Sequence, residues 1–149
     1  MSLQTWKETF YEDIMNMKEE KRLSDLSCAE HTLKKYQGLL PENLEKHGVG
    51  LFGRALREKN LSYVELLATG EFDFSSDTCS FCLKHYNFEY QITECGNCPI
   101  GRISKPCGGN NKENTWYQVI FTKDPNPMIT LMEKIITMCD SEGKFQLGN

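Results

Sequence analysis

The sequence contains no apolar run near the roughly 18 residues that a membrane-spanning helix needs. Its opening stretch, MSLQTWKETFYEDIMNMKEE, carries acids where a secretory leader carries an apolar centre. Together these absences predict an intracellular, cytoplasmic protein with no membrane association. A basic excess is also missing. The chain has 17 Lys and Arg against 21 Asp and Glu, a formal net charge of -4, which disfavours broad affinity for nucleic acid or anionic lipid. Histidine is scarce, at three residues. Neither the His-Glu-x-x-His of zinc hydrolases nor the His-x-Glu and Pro-Cys-x-x-Cys of zinc deaminases is present. There is no P-loop and no dinucleotide fingerprint; the GVGLFG of Gly48–Gly53 lacks the lysine and the preceding strand, and reads as glycines joining helices. No nucleophile–base pair stands out, so a metal-dependent or iron–sulfur enzyme is the least supported functional class. Internal repeats and low-complexity linkers are absent too.

What remains is a globular composition, 39% hydrophobic and 26% charged over 149 residues, long enough for one domain with its own core. The ends read as helices. Leu3, Trp6, Phe10, Ile14 and Met17 fall on one helical face, with Ser2 or Thr5 as the cap and Glu8 at capping-box spacing from Thr5. Leu26, Ala29, Leu33 and Tyr36 form a second stripe, starting near Ser24 or Ser27, with Glu30 at box spacing from Ser27 and Gly38 at its end. Pro41 opens a third helix that stops at Gly48. Two more short helices are predicted, one from Leu51, Phe52, Ala55 and Leu56, the other from Leu61, Val64 and Leu67, capped by Asn60 and ended by Gly70. Near the C-terminus, Asn126 is the expected cap and Pro127 the first helical residue. Ile129, Met132, Ile136 and Cys139 share a face, and Gly143 closes the helix.

Residues 72–121 differ from these ends. They are rich in Cys, Gly, Asn and Ser and hold no sustained period, and WYQVIF (Trp116–Phe121) suits a strand or a helix equally. The predicted fold is therefore mainly α: a single domain over 1–149, with a helical body (1–70 and 126–142) and a loop-rich, metal-stapled lobe (72–121) containing a short strand or hairpin.

Seven cysteines in a reducing compartment are not read as a disulfide framework. Cys79-x-x-Cys82 and Cys95-x-x-Cys98 are separated by twelve residues. Each pair can aim two sulfurs at one point, and two pairs make a tetrahedral four-sulfur site suited to Zn²⁺. Cys107 and His85 are alternate donors. An iron–sulfur cluster is the alternative cofactor, since Cys98-Pro99 matches the end of ferredoxin ligand runs. A dithiol redox role for CGNC needs a strand before it and a helix after it, within a βαβ setting that this stretch lacks. Cys28 and Cys139 fall on helix faces and read as buried apolar residues.

The run CSFCLKHY…CGNCPI…C…WY resembles a signature in small proteins of bacteriophages and their hosts, most of unknown function. The matching residues are Cys79, Cys82, Cys95, Cys98, Pro99, Ile100, Cys107 and Trp116 or Tyr117. The resemblance implies a phage or bacterial cytoplasmic origin and a small metal-bound fold. It implies no reaction.

No acid occurs from Pro99 through Lys112. Arg102, Lys105 and Lys112, with Trp116 and Tyr117, could thus meet phosphates and stack a base. The leading functional expectation is a metal-stabilised factor that binds a protein partner, in a phage setting one that modulates a host system. A zinc-module nucleic-acid binder is second.

Overall fold

The computed structural model describes residues 2–52, 63–74, 78–104 and 114–147. The chain is mainly helical. Its elements are α1 (Leu3–Phe10), α2 (Ile14–Glu19), α3 (Asp25–Gly38), α4 (Pro41–His47), β1 (Gly50–Phe52), α5 (Tyr63–Thr69), β2 (Glu71–Asp73), α6 (Ser80–Lys84), β3 (Tyr86–Asn87), β4 (Ile92–Thr93), α7 (Pro99–Ile103), α8 (Thr115–Thr122) and α9 (Asn126–Thr137). No described helix is long and apolar enough to cross a membrane.

The first stripe is two helices rather than one. Tyr11 leaves α1 in an extended conformation, and Asp13 starts α2 by accepting a hydrogen bond from Met15 N. The apolar spacing survives the break, so Leu3, Trp6, Ile14 and Met17 are all buried. At the start of α1 the reciprocal pair is Ser2 with Thr5, and at the start of α3 it is Ser24 with Ser27. Both shift the expected boxes N-terminally by three residues, because a hydroxyl at the third helical position can reach back as a carboxylate does. Pro41 and Gly48 bound α4 as expected, Gly48 with φ +65°. The capping carboxylate before α9 comes from Asp124, which accepts from Asn126 N at 3.0 Å, and Asn126 is already helical. The helix ends at Thr137. Gly143 instead serves a tight turn in which Cys139 bridges Phe145 and the chain doubles back onto α3.

Leu51 and Phe52 were expected in a helix and lie in a strand: β1 pairs in parallel with β2, in the register Gly50↔Glu71, Leu51↔Phe72, Phe52↔Asp73. A three-residue strand is too short to carry an alternating pattern. Ala55, Leu56, Asn60 and Leu61 lie outside the described residues. β3 and β4 form the predicted hairpin. WYQVIF is helical, started by Asn114, whose side chain accepts from Trp116 N and Tyr117 N.

The core sits where α9 lies along α3, with α1 and β2 closing one side. Trp6, Tyr36, Leu39, Phe72, Met128, Met132 and Ile135 meet there, joined by Phe81, Cys98 and Ile100 from the cysteine-rich segment. Body and lobe therefore share one apolar cluster. The end of α3 must approach closely: a Cβ on Gly38 would stand 2.6 Å from Phe10 Cγ. Asp25 fastens the far end. Its carboxylate accepts from Lys84 Nζ at 2.5 Å and from Phe145 N at 3.0 Å. Burial pushes this carboxyl up, but Lys84 and the Phe145 N–H outweigh it and hold it below the usual range.

His31, on α3, is 8% exposed, and its Nε2 lies 2.7 Å from Glu12 O, against the Tyr11 ring. Burial pushes its imidazole down to about 4, against the pull of the Glu12 carbonyl. An unfolded histidine titrates near 6.5. Between these values the unfolded chain binds more protons, so this contribution is complete above about pH 6.5 and lost as pH falls to about 4. The expected loss is roughly 3 kcal/mol. Denaturant midpoints from pH 7 to 4 should slope more steeply in the wild type than in His31→Gln; parallel slopes would remove His31 as the cause.

Candidate metal centre

Each cysteine pair sits on a turn that leads into a helix. Cys79 is the cap of α6, and its carbonyl accepts from Leu83 N at 3.2 Å. Cys98 is the cap of α7, with Pro99 in the first turn, and its own N–H donates to Cys95 O at 3.3 Å. Between the pairs runs the hairpin, in the register Tyr86↔Thr93 and Asn87↔Ile92. Its base is held by polar bonds: Glu94 accepts from Asn87 Nδ2 at 3.0 Å and from Asn97 Nδ2 at 3.1 Å. Within its loop, Asn87 Oδ1 accepts from Glu89 N and Tyr90 N.

The first turn is built to hold a thiolate. The Cys82 thiol donates to the Cys79 sulfur and pulls it down, against burial, to about 6. The Lys35 ammonium and the backbone N–H groups of Cys82 and Phe81 add to this. Lys35 comes from α3, is 1% exposed, and donates to Thr78 O at 3.2 Å. Burial pushes its ammonium down, while Cys79, Cys82 and Asp73 pull it back up. Donor N–H groups aimed at a sulfur that is anionic near neutral pH are what a metal–thiolate bond requires. Two sulfurs on one turn are half of the donor set that a four-thiolate site needs.

Among the described residues, no three His, Cys, Asp or Glu side chains are arranged to hold a metal ion. The expected four-sulfur group of Cys79, Cys82, Cys95 and Cys98, all of them described, is therefore not assembled. Cys95 is partly buried and Cys98 is 6% exposed, inside the same apolar cluster against which Cys79 packs. Cys82 and Cys98 each make further interactions. Cys107, Lys105 and Lys112 lie outside the described residues. His85, the alternate donor, places Nε2 3.7 Å from Asp25 Oδ1, and burial pushes it down.

Of the two spare thiols, Cys28 is buried on α3 as expected, whereas Cys139 lies past the end of α9 and is only partly buried. Cys28 is fully buried and burial pushes it up to about 12. Cys139 is partly buried, donates to Ile135 O at 3.4 Å, and is likewise raised by burial. Of the surface proposed for phosphates and bases, Arg102 is exposed and lies 5.1 Å over the Phe145 ring. Trp116 is tied into the fold, its Nε1 donating to Phe74 O at 3.1 Å. Tyr117 stacks on Phe121, which is 67% exposed.

Lys35 is the feature that sequence reading missed. It lies beside Tyr36 on a polar-looking helix position, and only the non-local approach of Thr78 and Cys79 gives it meaning. No family model, curated protein or solved structure matches the chain.

Proposed function

We propose that this is an intracellular protein-interaction factor in which thiolate-bound Zn²⁺ at the cysteine pairs steadies hairpin β3–β4 for a protein partner. One observation carries the reading. The hairpin between the two pairs leaves Phe88, Tyr90 and Ile92 exposed at 69%, 65% and 56%. A cluster of large apolar side chains on a short turn is costly to leave in water, and aromatic side chains are frequent interface anchors. Tyr86 packs edge-on against Phe88 at 4.8 Å, and Lys18 Nζ stands 5.3 Å from the same ring. Two strands of two residues are marginal alone. A metal at the foot of the hairpin would supply the rigidity that a preformed binding surface needs.

The resemblance to phage and bacterial cysteine proteins makes a bacterial host protein the partner of this reading. Nucleic-acid binding has less support, because the Trp116 indole is engaged within the fold. An iron–sulfur cluster in place of zinc would colour the purified protein.

The test is affinity capture from bacterial lysate with zinc-loaded protein as bait, beside the Phe88→Ser/Tyr90→Ser double variant. A partner retained by the wild type should bind the variant at least tenfold more weakly, the scale of losing one to two anchors. Equal capture by both baits would count against the hairpin as the contact surface.

A further inference from the structure

Cys79 and Cys82 stand as a pair, since no described His, Cys, Asp or Glu joins them in a group that could hold a metal ion. Cys79 caps α6 and Cys82 is its third residue. Residues three apart on a helix have Cα atoms about 5 Å apart, and a disulfide spans roughly 4.4–6.8 Å between them. The side chains converge as well, because the Cys82 thiol donates to the Cys79 sulfur. The two residues between them are anchored. Ser80 and Phe81 are both 0% exposed; Ser80 Oγ donates to Cys28 O on α3 at 3.3 Å, and Phe81 lies in the main apolar cluster. The turn is clamped from its inner side, while both cysteines stay partly exposed.

The other described thiols each lack one of these features. Cys98 stands three residues from Cys95 but is 6% exposed inside the apolar cluster. Cys28 is fully buried, and Cys139 has no second cysteine within a turn of it in sequence. Attack on a small disulfide needs access, and closure is fast when the second sulfur is already in place. Among the described cysteines, the Cys79–Cys82 turn combines the two.

We propose that Cys79 and Cys82 form a redox-active dithiol that exchanges with small-molecule disulfides of the glutathione type and closes to an intramolecular disulfide. Cys79, whose sulfur is the acceptor in the pair, gives its proton to solvent and attacks one sulfur of the small disulfide. That S–S bond breaks, a mixed disulfide forms on Cys79, and one small thiolate leaves and takes up a proton. Cys82 then loses its proton, attacks the Cys79 sulfur and displaces the second small thiol. Two protein thiols are oxidised and one small disulfide is reduced to two thiols. The inference goes beyond the interaction reading and does not need zinc. Where an ion sits on the pair, closure removes both sulfurs and releases it.

In the test, the reduced full-length protein is incubated with oxidised glutathione, quenched with acid, alkylated and mapped by peptide mass spectrometry. A metallochromic dye in the mixture reports zinc release. The Cys79–Cys82 disulfide should form about tenfold or more faster than the Cys95–Cys98 disulfide, because the fold shields Cys98 and holds the first pair together. In urea the two pairs have the same spacing and the same access, and should close within about twofold of each other. Closure with zinc release supports both the dithiol and the zinc reading. Closure without zinc release supports the dithiol and removes zinc from this pair. Thiols at Cys79 and Cys82 that survive the oxidant overturn the dithiol and, with zinc still bound, leave the zinc reading standing. A glutathione adduct that persists on Cys79 without closure, or a Cys95–Cys98 pair that closes as fast in the folded protein, also overturns it.

Discussion

Cys82→Ser, purified beside the wild type, is expected to lose its zinc and to fail to fold cooperatively. The substitution removes one proposed ligand and also the thiol that donates to Cys79. A structural zinc contributes roughly 10–16 kcal/mol of apparent binding energy in small peptides, against a total of about 5–15 kcal/mol for a whole domain. Residues 78–104 form only short helices and a small hairpin, so little local structure resists the loss. Protease should cut this segment first, and chelation of the wild type should reproduce the pattern. Damage should then spread, because Phe81, Cys98 and Ile100 belong to the same cluster as the α3–α9 core. Cys139→Ser is the matched control: its thiol is partly buried and donates to the carbonyl one turn back, and its loss should leave zinc content unchanged. A Cys82→Ser protein with wild-type zinc content and an unchanged midpoint would end the proposal that this pair holds the metal.

The parts of this fold that were legible in the sequence are those whose physics is local. The stripe of α3, the bounds of α4 at Pro41 and Gly48, and the stop of α5 at Gly70 follow from residues within a turn or two of one another. The break at Tyr11–Asp13 was hidden because the apolar spacing runs through it, although Asp13 carries the side chain that makes the new start. β1 was hidden for a different reason. Its pairing with β2 is made between residues some twenty positions apart, as in Leu51↔Phe72, and the three residues of β1 carry no pattern of their own. At the site, the spacing of Cys79 and Cys82 pointed to the thiolate turn, whereas nothing local pointed to Lys35, which comes from forty-three positions before Thr78. Strand and counter-charge share one cause: both become visible only when distant segments meet. His31 belongs with them, since its burial depends on the chain between α1 and α2 folding over it to bring up Glu12.

Trp6→Ala is expected to cost about 3–5 kcal/mol, the range for emptying a fully buried aromatic site. Trp6 is 0% exposed, its ring centroid lies 4.5 Å from that of Phe72, and its Nε1 donates to Gly38 O at 2.7 Å. The indole thus joins three elements: α1, the end of α3 and strand β2. The cavity cannot collapse easily, because Gly38 already abuts Phe10 and the α3 backbone cannot move further in that direction. Trp6→Phe separates packing from hydrogen bonding. It keeps much of the apolar contact but leaves the Gly38 carbonyl without its donor, for an expected cost of about 1–3 kcal/mol. Denaturant midpoints at constant slope measure both. Because Trp6 packs on Phe72 of β2, and Phe72, Phe81 and Cys98 share one cluster against which Cys79 packs, Trp6→Ala should also loosen the thiolate turn while leaving its sulfurs in place. Zinc should therefore restore part of the lost stability in Trp6→Ala and none in Cys82→Ser, since a ligand that binds only the folded state stabilises it by mass action. Equal rescue of both variants would show that the ion is held somewhere other than the Cys79–Cys82 turn.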